Sequence, residues 1–108
     1  MIESHSMACN RFVQLVRDFS IRTKKWEPAI RYETKFDEKH DLTLVSLRVY
    51  GRRNEFLTIM AAAGLGSFDE PLNEQILVLP TEKQLKEIKS RAGYENNQEK
   101  REFYKTVI

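Results

Sequence analysis

The sequence predicts an α+β domain: a strand–helix–helix–strand core carrying one extra helix before it and one after it. Three observations point there. Residues 30–36 alternate with period two, two apolar stretches of helical spacing over 42–50 and 56–63 each end at a glycine, and residues 76–79 form a short continuous apolar run closed by Pro80. At 108 residues the chain has room for one domain, and 41% hydrophobic with 31% charged residues suits a small core under a charged surface.

Residues 1–9 show no periodicity and are expected to be a disordered start; a remnant ahead of a natural start at Met7 and a native segment fit equally well. Residues 10–28 read as an amphipathic helix and linker. Asn10 suits the N-cap, and Phe12, Leu15, Val16 and Phe19 recur at i, i+3, i+4 and i+7. Pro28 disfavours helix in the residue before it. The strand at 30–36 places Ile30, Tyr32, Thr34 and Phe36 on one side and Arg31, Glu33 and Lys35 on the other.

The polar turn 37–41 ends in Asp41, a good N-cap for the helix 42–50. That helix is apolar on almost every side, so it is expected between two layers, the strand and the N-terminal helix. Gly51 stops it, and Asn54 is the expected cap of the next helix, where Phe56, Ile59, Met60 and Ala63 share a face. Gly64 ends that helix, 65–73 is a loop, and the run at 76–79 reads as a strand covered on both faces. Thr81 and Gln84 fit a capping box, Leu85, Ile88 and Ala92 share a face, and Glu82/Lys86 and Glu87/Arg91 are favourable i,i+4 pairs. The core thus spans 29–80, the last helix 81–93, and a polar arm 94–108 whose residues 103–108 suit a further strand or a docking segment.

Composition narrows the chemistry. One cysteine, Cys9, excludes an internal disulfide, and two histidines, His5 and His40, give no metal-ligand spacing, so neither metal nor cofactor is expected. Catalysis is not expected either: Cys9 has no second histidine for a base, and Ser46 and Ser67 lack a nucleophile elbow. A loop metal at His40 with Asp37, Glu38 and Asp41 competes with a solvated helix N-terminus, which fits better. No apolar run approaches a membrane span, and no cleavable export signal stands at the start, so synthesis in the cytoplasm is expected. Residues 1–26 carry +3, 27–80 carry −3 and 81–108 carry +2, which argues against a nucleic-acid-binding core, although Lys24-Lys25-Trp26 and Arg52-Arg53 keep that reading open.

From residue 31 to residue 80 the chain resembles a LysM domain. The residues carrying the likeness are Asp41, Tyr50-Gly51, Phe56, Leu57, Ile59, Ala63-Gly64-Leu65 and Val78-Leu79-Pro80. It departs from that family at His40, Thr43, Ser46, Ala63 and Asn73-Glu74. The resemblance implies a shallow N-acetylglucosamine groove between loops 37–41 and 65–73, at His40, Asp41, Leu65, Gly66, Ser67 and Phe68. Only Phe68 there is aromatic.

Small LysM-like tail and baseplate proteins of bacteriophages and contractile injection systems are similar in Arg48-Val49-Tyr50-Gly51, Asp69-Glu70-Pro71-Leu72 and Leu79-Pro80. That likeness implies a non-catalytic assembly protein of a virion tail or baseplate, acting on other subunits or on copies of itself. The stripe Phe12/Leu15/Val16/Phe19 is then a candidate partner surface, against packing on the chain's own helix 42–50. Glycan binding is the alternative, and nucleic-acid binding or regulation the second.

Overall fold

A computed structural model describes residues 2–94. Among them the order is α1 (Ile2–Arg22), β1 (Ile30–Glu33), α2 (Leu42–Tyr50), α3 (Phe56–Ala63), β2 (Ile76–Leu79) and α4 (Glu82–Ala92), with 3₁₀ turns at Phe36–Glu38 and Arg53–Glu55. The expected arm lies outside the described residues beyond Tyr94, as does its segment 103–108.

The strands pair antiparallel, with Ile30 opposite Leu79, Arg31 opposite Val78, Tyr32 opposite Leu77 and Glu33 opposite Ile76. Leu77 and Leu79 point inward and are fully buried, joining Phe12, Val16, Val45, Ile59, Leu72 and Leu85 in one core. Each such side chain contributes about 1.5–3 kcal/mol on leaving water, before entropic costs. Helix α1 packs on α3, α4 and β2, while α2 packs on α3 and on the two turns.

Local signals that the sequence carries are realised. The Asp41 side chain accepts the N–H groups of Thr43 and Leu44, and Thr81 and Gln84 close a capping box at the start of α4. Gly51 ends α2 at φ 74°, a left-handed conformation in which a Cβ is strained. Gly64 and Gly93 end α3 and α4.

Several expectations are corrected. Helix α1 starts at Ile2, not at Asn10, and buried Ala8 extends the Phe12/Val16 row back by one turn. Strand β1 stops at Glu33. The Glu38 side chain accepts the Lys35 N–H at 2.6 Å and turns the chain, so Phe36 faces solvent instead of the core. Asn54 lies inside a 3₁₀ turn, and Glu55 holds the N-cap position of α3. Helix α2 is not sandwiched: α1 lies on the other helices, and Leu47 and Arg48 are exposed. Strand β2 is fully covered on one face only: on the other, Ile76 is exposed and Val78 half-buried. Glu82 is paired with Arg52 at 2.9 Å, across 30 residues.

Candidate functional site

The stripe on α1 belongs to the chain's own core. Phe12 and Val16 have no exposed surface, and Leu15 and Phe19 are half-buried against the same cluster. Phe12 stacks on Tyr94 at 4.6 Å between ring centroids. Around the stripe, Arg11 donates to the Ala92 carbonyl, Arg17 to the Leu65 carbonyl and Ser20 to the Val78 carbonyl. Polar bonds thus fix α1 to α4, to the loop after α3 and to β2. As a surface open to partners the stripe is therefore corrected: Phe12 and Val16 are closed over by α1's own neighbours.

The two loops expected to flank a sugar groove are joined: the Leu72 N–H donates to the Lys39 carbonyl at 2.7 Å. The first loop is anchored by Arg48. Its guanidinium meets Asp37 through two bonds of 3.0 and 2.8 Å and buried Glu38 at 2.9 Å, and Tyr32 donates its hydroxyl to Glu38. The Arg48 bonds hold the Asp37 carboxyl below its ordinary range, and burial followed by the Glu38 bond pushes the Tyr32 hydroxyl up.

Within that loop His40 is exposed and Asp41 is engaged as the cap of α2. In the second loop Leu65 is half-buried, and the Gly66 N–H donates to Glu70 at 3.0 Å. Ser67 and Phe68 are exposed, and the Phe68 ring meets Phe56 edge-on at 5.1 Å. The bond joining the loops falls at Lys39 and Leu72. The hydrogen bonds of Asp41, Leu65 and Gly66 run within their own loops or back to helices.

A second charge cluster escaped the sequence reading. Glu55 is 2% exposed and accepts Lys89 at 2.6 Å and Arg52 at 3.1 Å on one oxygen, with the Thr58 hydroxyl on the other. Ser46 accepts the Glu55 N–H and donates to the Arg52 carbonyl, tying α2 into the turn. The Tyr50 hydroxyl donates to the Pro80 carbonyl at 2.7 Å, and burial, then Glu55 and Glu82, pushes it well above its ordinary value. Arg52 is thereby engaged inside the fold, while Arg53 reaches the Thr43 hydroxyl at 3.0 Å. The available signal was the Arg52/Glu55 spacing of three, next to an otherwise apolar helix.

Several large apolar side chains also remain outside. Trp26 is 79% exposed, Phe36 75%, Ile21 74%, Ile76 67% and Phe68 53%. Lys24 lies over the Trp26 ring at 5.4 Å, and Arg31 donates to the Lys24 and Glu27 carbonyls just before β1. Most of these side chains belong to the sheet or to the segments entering and leaving it.

Cys9 is half-buried, and burial raises its thiol pKa, the opposite of activation. Among the described residues, no group of three or more histidine, cysteine or carboxylate side chains is placed to hold a metal. No helix there is long and apolar enough to cross a membrane. No family model, curated protein or solved structure matches the chain.

Proposed function

We propose that this chain is a non-catalytic assembly module with a LysM-like strand–helix–helix–strand core, working through protein–protein contacts as a tail or baseplate component does. One observation carries the reading. The buried charged groups Glu38, Glu55 and Lys89 are engaged in ion pairs within the chain, whereas large apolar side chains around the sheet stay in water. Exposed Trp26, Phe36 and Ile76 suit contact with a protein surface. The antiparallel pairing of β1 with β2 across two intervening helices is compatible with the LysM-like part. Against a glycan site stand the engagement of Asp41 and Glu70 and the lone aromatic Phe68 in the paired loops.

The test combines sedimentation velocity of the full chain with titration of N-acetylglucosamine oligomers. The expected result is association that grows with concentration and no saturable sugar binding. A monomer that binds the oligomers, and loses them when loop 65–73 is altered, would replace the assembly reading with the glycan one.

A further inference from the structure

Among the described residues strand β1 is paired on one side only, and the register shows what its other side presents. The Thr34 N–H donates to the Gln75 carbonyl at 2.8 Å, which continues the Tyr32–Leu77 alignment. In an antiparallel ladder, alternate residues exchange bonds with the neighbour and the others turn both backbone groups away. Ile30, Tyr32 and Thr34 therefore bond towards β2, and the N–H and C=O groups of Arg31 and Glu33 point to the open edge. The Ser20 bond to the Val78 carbonyl agrees with this, because Val78 sits opposite Arg31 and its carbonyl also points away from the pair.

We propose that this edge is a self-pairing site: β1 of a second copy docks antiparallel on β1 about a two-fold axis at Tyr32, making a continuous four-stranded sheet. This deepens the assembly reading by naming one partner, and rests on it. The charges select the partner and the register. With the axis at Tyr32, Arg31 of each copy lies directly opposite Glu33 of the other, and these two residues carry the outward backbone groups. Four backbone bonds and two cross-strand ion pairs form together. A shift of the axis to residue 31 sets Arg31 against Arg31. A shift to residue 33 sets Glu33 against Glu33 and Arg31 against Lys35. Like charges directly opposite each other oppose pairing.

A slip by a single place brings outward groups against inward ones and forms no ladder. Arg31 is prepared for this role: one terminal nitrogen holds the Lys24 and Glu27 carbonyls, which leaves the rest of the guanidinium fork for a carboxylate. Glu33 is exposed, and the β2 residue directly opposite it, Ile76, is exposed as well.

The experiment is sedimentation velocity on the full chain and three variants, with circular dichroism to verify folding. Glu33→Pro removes an outward N–H and none of the bonds to β2, a substitution an edge strand tolerates. It is expected to weaken dimerisation at least about tenfold while the helical spectrum stays unchanged. Glu33→Arg and Arg31→Glu each set like charges opposite one another and are expected to be monomeric alone. Mixed one to one, they restore opposite charges at both pairs and are expected to form a heterodimer. A full chain that stays monomeric to near-millimolar concentration overturns the proposal. So does association that Glu33→Pro leaves untouched, or a mixture no more associated than its components. Unchanged association in Glu33→Pro ends the self-pairing and leaves the assembly reading standing; sugar binding by a monomer ends both.

Discussion

Glu38 and Glu55 are both buried carboxylates held by an arginine and a hydroxyl, yet they do different work. Glu38 binds groups within ten residues of itself, Lys35, Tyr32 and Arg48, and its cation is one-third exposed. Glu55 binds Lys89 from 34 residues away, and that cation is itself buried. The first folds a loop; the second holds α4 against the junction between α2 and α3. A buried charge is costly unless paired, so the penalty for breaking each pair depends on whether water can reach the partner left behind.

The largest expected effect follows directly. Glu55→Ala removes the buried carboxylate that pairs with buried Lys89 and with Arg52, and is expected to cost about 3–5 kcal/mol in urea unfolding. Glu55→Leu combined with Lys89→Met is expected to recover most of that loss. If the double variant is as unstable as Glu55→Ala, the pairing is not what matters at this site. Phe12→Ala removes a fully buried ring from the same helical region and is expected to cost about 3–5 kcal/mol, with loss of any near-ultraviolet signal from its stack on Tyr94. Glu38→Ala is expected to cost less, about 1–3 kcal/mol, because water and Asp37 still serve Arg48. Equal losses at Glu38 and Glu55 would erase the contrast between the two regions.

The smallest effect concerns acid. The Thr43 hydroxyl, followed by the Leu44 and Thr43 N–H groups, lowers the Asp41 pKa in the folded state. A depressed carboxylate stabilises above its unfolded pKa and loses that contribution as pH falls through the folded value, here below about pH 4. Asp41→Asn is therefore expected to flatten the fall in stability across that window and to change little near neutrality. An unchanged acid profile would remove Asp41 from the account.

Local chemistry was legible and distant chemistry was not. Asp41, Gly51, Gly64, Gly93 and the Thr81/Gln84 box could be read because each acts within four residues. The alternation through 36 misled, since the pattern of side chains runs on past the point where Glu38 captures a backbone N–H and bends the chain. Glu55 and Lys89 look like surface residues until the fold puts them together. For the candidate site, the sequence marked the α1 stripe as needing cover, and the cover turned out to be α3, α4 and β2. The open edge of β1 depends on strand register, which an isolated four-residue pattern does not specify.

The Ser20 hydroxyl on the Val78 carbonyl has a consequence for size. Together with the packing of α1 along β2, it occupies the far side of the sheet at Val78. Among the described residues, β1 is then the edge left open to strand addition. In the proposed pairing the β1 edges of both molecules are used, so a sheet built from the described strands stops at four and does not propagate as a fibre.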